Sequence, residues 1–210
     1  MNKYQTLFEV PYQELKKALD KYILDGQTVM DLGCNNGNLE VEIDNIKNGC
    51  TIYAVDFDAK ALKELELRKF KTSKVEVINS DINIFLKNDV RKDIDAVVLS
   101  ATLHEINTPS DQENYLLDLF KNLCGRLNPR GVIIIGDFYY PDNISDEDVK
   151  SYMVQQLREI GHADARNKFI KPELIKSVAD RTGFSIEYSN EFRAIKEIDR
   201  KYVVTVLRKI

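Results

Sequence analysis

The chain has 210 residues, which fits one domain better than two, because single hydrophobic cores commonly extend to roughly 200–250 residues. Hydrophobic residues make up 43% and charged residues 30%, so disorder and fibrous repeats are disfavoured. The 34 acidic and 30 basic side chains leave a formal charge of −4, which disfavours non-specific binding of nucleic acid.

Membrane, secretory and metal-binding signals are weak in this sequence. No apolar run approaches the roughly 18–20 residues that cross a bilayer, and no apolar signal core follows the first residues. The three cysteines, Cys34, Cys50 and Cys124, lack metal or redox spacing, and only two histidines are present. We therefore expect a cytoplasmic protein with no membrane partner and no metal site. No feature of the sequence indicates an oligomeric state.

Strand-like and helix-like segments alternate along most of the chain. A leading helix is predicted over residues 11–25, with Pro11 in its first turn. Apolar or β-branched runs then predict strands at 29–32, 51–55, 75–78, 94–99 and 132–135. Apolar residues at helical spacing predict helices at 39–46, 59–70 and 111–127. This alternation predicts an α/β fold with a doubly wound, mostly parallel sheet.

The C-terminal third departs from this alternation. Residues 139–171 form a long excursion with a helix predicted at 145–160, and a further helix opens at Pro172. Two last strands, at 184–188 and 202–207, are predicted to pair antiparallel at one edge of the sheet. We expect a single domain over residues 1–210, with residues 1–26 and 139–171 forming a cap over a substrate.

A glycine-containing turn follows the first strand and precedes a helix. Gly33 and Gly37 allow backbone N–H groups to approach a ligand closely, because no side chain intervenes. Turns of this kind bind many nucleotides, and some are purely structural. The turn alone therefore does not select a cofactor.

Three carboxylates lie at the ends of the first three predicted strands. Asp31 precedes the turn, Asp56 closes the second strand and is placed to accept ribose hydroxyls, and Asp81 follows the third strand. Taken singly, each could be a solvated loop residue. Together they form a negative pocket that suits a cationic, phosphate-free nucleoside better than a pyrophosphate.

These residues resemble the class I S-adenosylmethionine-dependent methyltransferases, a family with a seven-stranded Rossmann-like sheet. The resemblance covers residues 27–138 well and the last strand pair more loosely, and it implies S-adenosylmethionine as cofactor. It places the glycine-rich loop at the methionine end, Asp56 at the ribose, and the adenine near the residues after the second and third strands. The implied cofactor-binding residues are Asp31, Gly33, Cys34, Asn35, Gly37, Asp56, Phe57, Asp81, Ile82 and Ser100.

The loop departs from the family's usual Gly-x-Gly-x-Gly pattern at one position. Asn35 replaces the middle glycine. Asn adopts positive φ more readily than other non-glycine residues, so we expect the turn to be retained. Its side chain could bond the cofactor's carboxylate. Gly-x-Gly-x-x-Gly spacing is absent, which disfavours an NAD-dependent oxidoreductase.

Candidates for the acceptor side follow the fourth and fifth strands. His104 lies four residues beyond Ser100, where it could take a proton from the acceptor or orient it; packing at a helix start is the alternative. Tyr139 and Tyr140 leave the fifth strand and could contact the acceptor, or could pack against the next helix.

These patterns predict an enzyme that transfers a methyl group to an oxygen, nitrogen or carbon atom of a small molecule. An RNA or protein methyltransferase on the same fold is one alternative, although the negative charge argues against it. A non-catalytic subunit that binds S-adenosylmethionine and supports a partner is another.

Overall fold

A seven-stranded sheet with helices on both faces makes up the computed structural model, which describes residues 3–108, 110–161, 163–193 and 200–210. The strands are β1 (Thr28–Leu32), β2 (Thr51–Asp56), β3 (Lys74–Asn79), β4 (Ile94–Ser100), β5 (Leu127–Tyr139), β6 (Phe184–Arg193) and β7 (Lys201–Lys209). The α-helices are α1 (Lys3–Tyr22), α2 (Asn38–Ile46), α3 (Ala59–Glu66), α4 (Ile82–Asn88), α5 (Leu103–Ile106), α6 (Gln112–Arg126), α7 (Asp146–Ile160) and α8 (Pro172–Arg181). A short 3-10 helix spans Arg166–Lys168.

The strand order is β3-β2-β1-β4-β5-β7-β6. The first five strands are mutually parallel, whereas β7 runs antiparallel to both β5 and β6. The predicted doubly wound sheet with an antiparallel C-terminal pair is confirmed. The order reverses between β1 and β4, where open α/β sheets bind ligands beyond the carboxyl ends of their strands.

The core forms two layers, one on each face of the sheet. Val97 and Leu99 of β4 pack with α4, α6 and α8, whereas Ala96 and Val98 pack with α1, α2 and α7. Alternate residues of a strand point to opposite faces, so a strand covered on both sides needs apolar side chains throughout. This requirement explains the continuous apolar run of β4.

Several boundaries differ from the sequence-based predictions. Strand β5 begins at Leu127, before the predicted break, because its early residues continue the pairing with β4 across an irregular register. Helix α1 contains Pro11 within it instead of in its first turn, so that prediction is wrong. Proline removes one backbone bond but leaves those of the adjacent turns. Helices α4 and α5 were not predicted because each spans two turns or fewer.

Candidate active site

The turn between β1 and α2 has the conformation that its glycines allow. Gly33 has φ 89° and Gly37 has φ 82°, and the Gly33 N–H donates to the carbonyl of Val55 at 2.8 Å. Asn35 also has positive φ, at 48°, as predicted. Its Oδ1 accepts the N–H of Asn36 at 2.8 Å, so the side-chain amide nitrogen is the group that can reach a ligand. Asn35 therefore preserves the turn by bonding within it.

The loop after β4 lies directly against this turn. A Cβ added at Gly33 would lie 2.4 Å from Oγ1 of Thr102, so only glycine permits the approach. The Thr102 hydroxyl donates to the carbonyl of Ser100 at 2.9 Å. The end of β4 and the turn after β1 are thus held together at the point where the strand order reverses.

Tyr202 of β7 packs against β5, the strand beside β4. Tyr202 is buried, and its hydroxyl lies near Ser100. Its ring crosses the backbone of Gly136 on β5, where an added Cβ would lie 2.1 Å from the Tyr202 hydroxyl oxygen. The predicted contact of Ser100 with the cofactor therefore involves a strand end that the buried Tyr202 adjoins.

Asp56 joins the end of β2 to the turn after β1. Its Oδ2 accepts the N–H of Asn35 at 2.8 Å, and its Oδ1 accepts the N–H of Asp58 at 2.9 Å. Each carboxylate oxygen has a second lone pair that can accept a further hydrogen bond. The residue predicted to hold the ribose is thus oriented by the backbone before any ligand binds.

The residues predicted to contact adenine lie at the next two strand ends. The side chain of Phe57 is 75% exposed, as expected of a surface that a ligand would cover. Asp81 caps α4, because its Oδ1 accepts the N–H groups of Asn83 at 2.9 Å and Ile84 at 3.1 Å. Ile82 is buried in the core. The predicted contact of Asp81 with adenine would therefore fall on its other carboxylate oxygen.

A buried pair of carboxyl groups lies behind the turn. Asp31 and Glu40 are 1% and 0% exposed, and Oδ1 of Asp31 and both oxygens of Glu40 lack a hydrogen-bond partner among the described residues. Burial raises the pKa of both groups, and the charge of Glu40 raises the pKa of Asp31 further. The pair therefore retains a proton at a pH where isolated carboxyls are ionised.

Cys34 shares this environment. Burial and then the charge of Asp31 raise the pKa of its thiol well above the usual range. Nucleophilic cysteines need the opposite shift, because the thiolate is the reactive form. Cys34 thus suits a small packed side chain in the loop.

His104 forms a buried dyad with Asp137. Its Nδ1 lies 2.6 Å from Oδ1 of Asp137, and its backbone N–H donates to Oδ2 of the same residue at 3.1 Å. The imidazole stacks on Phe169, with ring centroids 4.9 Å apart. Burial alone would lower the pKa of His104, but the charge of Asp137 and then those of Asp164 and Glu105 outweigh it and raise the pKa.

Two further carboxylates lie near the other nitrogen of this imidazole. Nε2 of His104 is 3.6 Å from Glu105 and 3.8 Å from Asp164, and the three side chains offer ligand atoms within 4.8 Å of one another. The ammonium of Lys168 lies 3.1 Å from Glu105 and 3.0 Å from Asp164. This ammonium pairs with both carboxylates and offsets one of their two charges.

Tyr139 and Tyr140, the predicted acceptor contacts, are both buried. The Tyr139 hydroxyl donates to Glu191 on β6 at 2.6 Å, and Tyr140 packs edge-on against Phe169 with centroids 5.2 Å apart. A cavity of about 770 Å³ lies beside α7, and Phe169 is one of its lining residues. None of the predicted cofactor-binding residues lines this cavity, so it belongs to the cap side. From the sequence we also expect His162, in the same segment, to be exposed. It lies outside the described residues.

Several site residues escaped the sequence-based reasoning. Glu40 lies beside the apolar helical stripe at 39, 43 and 46, where a charged residue is usually assigned to the solvent side. Asp137 did carry a signal, because it is a charged residue within an apolar strand. Thr102 and Arg200 carried none, since only the fold brings them to Gly33 and Phe169.

A family model described as "Methyltransferase domain" matches residues 23–197, which is most of the chain. The chain belongs to this family. S-adenosylmethionine is therefore the cofactor of this methyltransferase, as the resemblance implied. In the part of the chain that the structure describes, no helix is both long and apolar enough to cross a membrane.

Curated relatives of this methyltransferase include the carboxy-S-adenosyl-L-methionine synthases of Campylobacter jejuni strains. One is 31% identical over 123 residues, which is 57% of this chain and 47% of that protein. The chain thus spans about half the length of these relatives.

Solved structures share the fold at low sequence identity. The cyclopropane synthase MmaA2 of Mycobacterium tuberculosis has a TM-score of 0.68 at 12% identity, covering 94% of this chain and 84% of that one. The magnesium protoporphyrin IX methyltransferase of Synechocystis PCC 6803, solved with bound S-adenosylmethionine, has a TM-score of 0.64 at 15% identity. That alignment covers 100% of this chain and 85% of the Synechocystis protein.

Proposed function

We propose that this methyltransferase transfers a methyl group to an oxygen, nitrogen or carbon atom of a small molecule held beside His104. The observation that supports this best is the buried His104–Asp137 dyad at the carboxyl ends of β4 and β5. His104 lies only two residues after Thr102, which contacts the turn after β1. A proton acceptor oriented this close to the cofactor turn is what an acceptor nucleophile requires.

The cofactor, in this proposal, lies across the ends of β1, β2 and β3. Asp31, Gly33, Cys34, Asn35 and Gly37 line its methionine end, with the backbone at Ser100 on the opposite side. Asp56 accepts from the ribose, and Phe57, Asp81 and Ile82 surround adenine. The buried pair of Asp31 and Glu40 supports this placement, because the negative charge that remains on a pair with one proton favours a cationic ligand in front of it.

The cofactor, when bound, supplies a methyl group on a positively charged sulfur. Transfer is an in-line displacement, so the protein contributes most by aligning the acceptor and excluding water. Nε2 of His104 takes the acceptor's proton as the new bond forms. Asp137 holds the imidazole by Nδ1 and stabilises its protonated form.

The cap in this proposal consists of α1 and residues 139–171, and the whole chain acts as one domain. Leu15 and Leu19 of α1 pack in the same core cluster as Phe138 and Val149, which supports treating the two segments as one unit. Phe169, near the end of residues 139–171, stacks on the imidazole of His104. A site covered in this way fits a small molecule better than a polymer.

The test is product formation from S-adenosylmethionine with a panel of small hydroxy, amino and carbon acids, followed by mass spectrometry of S-adenosylhomocysteine and methylated product. We expect His104→Gln to lower kcat by about 10²–10⁴-fold while cofactor affinity is unchanged, because the lost group serves proton transfer. Glu66→Gln, an exposed carboxyl on α3, is the matched control. Methylation of RNA or protein in place of every small acceptor, or cofactor binding without turnover, would contradict the proposal.

A second candidate function comes from the Campylobacter relatives, whose name states that they make carboxy-S-adenosyl-L-methionine. The same mass spectra would reveal it, because the product would be a heavier, carboxylated cofactor instead of S-adenosylhomocysteine.

A further inference from the structure

Arg200, immediately before β7, is buried and forms no ion pair with the described residues. Its side chain is 6% exposed, and its Nε has no hydrogen-bond partner among the described residues. No salt bridge joins it to any carboxylate in residues 3–108, 110–161, 163–193 or 200–210. Burying an unpaired guanidinium is strongly unfavourable, so an anion from elsewhere is the expected partner.

Three aromatic rings enclose this guanidinium. Its Cζ lies 4.4 Å from the ring centroid of Phe138, 4.6 Å from that of Phe169 and 5.3 Å from that of Tyr140. Cation–π contacts hold the plane of a guanidinium but leave its N–H groups to bond in that plane. The rings therefore position Arg200 without satisfying its donors.

Tyr140 adds a second unsatisfied donor to the same cluster. It is 3% exposed, and its hydroxyl also lacks a hydrogen-bond partner among the described residues. Burial is the main reason that the pKa of this hydroxyl is raised, so it remains protonated at neutral pH. A guanidinium and a phenol O–H in one aromatic cluster match the oxygens of a carboxylate.

The cluster lies at the acceptor end of the proposed active site. Because β7 runs antiparallel to β5, Arg200 is at the same edge of the sheet as Phe138 and the dyad. Phe169 contacts both His104 and Arg200, and it also lines the cavity beside α7. Phe169 thus links the surroundings of His104 to those of Arg200.

Other charged groups near this cluster are already paired. Arg166 bonds Asp146 at 2.8 Å, and Lys168 bonds both Glu105 and Asp164. Among the described residues, Arg200 thus differs from Arg166 and Lys168 in having no carboxylate partner.

We propose that Arg200 and Tyr140 bind a carboxylate group of the methyl acceptor, so that the acceptor class is small carboxylic acids. This inference depends on the proposed function, because it assigns the acceptor of that same site. The guanidinium pairs with the carboxylate, the Tyr140 hydroxyl donates to it, and the rings hold the guanidinium in place. A cationic or neutral acceptor would leave Arg200 unpaired.

Equilibrium binding tests this assignment without requiring turnover. The probes are 4-hydroxybenzoate and its neutral amide, 4-hydroxybenzamide, titrated by calorimetry into the protein saturated with S-adenosylhomocysteine. We expect the carboxylate to bind at least about tenfold more tightly than the amide, since charge-assisted hydrogen bonds are the stronger ones. Arg200→Gln should reduce that ratio to about one, and Tyr140→Phe should reduce it severalfold.

Arg181→Gln is the control, because it removes an exposed arginine on α8 that pairs with Glu113. If Arg200→Gln folds poorly, Arg200→Lys replaces it in the test. Lysine retains the charge but not the planar guanidinium, so part of the preference for the carboxylate probe should remain. Equal binding of the two probes by a protein that binds the cofactor would overturn the carboxylate assignment and leave methyl transfer intact. Failure to bind S-adenosylhomocysteine would instead refute the proposed function.

Discussion

Replacing Glu40 by glutamine should change how folding stability depends on pH. In the unfolded chain, the carboxyls of Asp31 and Glu40 lose their protons near pH ~4. In the folded protein, burial raises the pKa of both, so the pair holds a proton to higher pH. Folding therefore takes up a proton, and the stability that this supplies is complete at low pH and is lost as the pH rises through the folded-state pKa.

The magnitude follows from the number of protons retained. For each proton that the folded state holds and the unfolded state does not, the free energy of unfolding falls by about 1.4 kcal/mol for each unit that the pH rises. Glu40→Gln removes one carboxyl, and the new amide can donate to the unpartnered Oδ1 of Asp31 and allow it to ionise. The free energy of unfolding of the variant should therefore fall less steeply with pH than that of the wild type, by up to about 1.4 kcal/mol per pH unit.

The assay is urea unfolding followed by far-UV circular dichroism, in steps from about pH 5 to about pH 8 at constant ionic strength. The free energies of wild type and Glu40→Gln should converge or cross as the pH rises, because only the wild type loses stability by this route. Glu66→Gln should run parallel to the wild type, since Glu66 is exposed. Parallel curves for Glu40→Gln would show that the buried pair holds no extra proton.

Three further substitutions test the site. Asp137→Asn should move the acid limb of the kcat/KM–pH profile to lower pH, because it removes the main charge that raises the pKa of His104, and should also lower kcat; an unshifted limb would uncouple the two residues. Asp56→Asn should weaken cofactor binding by about 1.5–3 kcal/mol in calorimetry, and unchanged affinity would remove it from the site. Gly33→Ala places a methyl group 2.4 Å from Thr102 in backbone of φ 89°, so we expect a loss of about 1–3 kcal/mol in stability, which a wild-type Tm would contradict.

The sheet and the turn after β1 could be predicted because their signals are local. Apolar runs, the glycines and the strand-end position of Asp56 all lie within short stretches of sequence. The same local reasoning found His104, and the structure adds the partner, Asp137, that lies 33 residues away in the chain.

The remaining site features depend on contacts between distant elements. The burial of Glu40 depends on how α2 packs over Asp31, and Arg200 reaches Phe169 only after β7 inserts beside β5. Neither periodicity nor a motif records such contacts, since both describe neighbours along the chain. The roles of the predicted cofactor contacts stay predictions for the same reason: they concern a ligand, not a fold.

The contact between Tyr202 of β7 and Gly136 of β5 limits the order in which substitutions at these two positions can accumulate. A methyl group at position 136 would overlap the hydroxyl oxygen of Tyr202, but the next ring atom, Cζ, is already 3.0 Å away. Alanine at position 136 therefore requires that position 202 first lose its hydroxyl, after which Cζ of that ring and Cδ1 of Leu15, at 3.0 and 3.2 Å, must still shift slightly. The order of the two changes is thus fixed, since Tyr202→Phe can precede Gly136→Ala but cannot follow it.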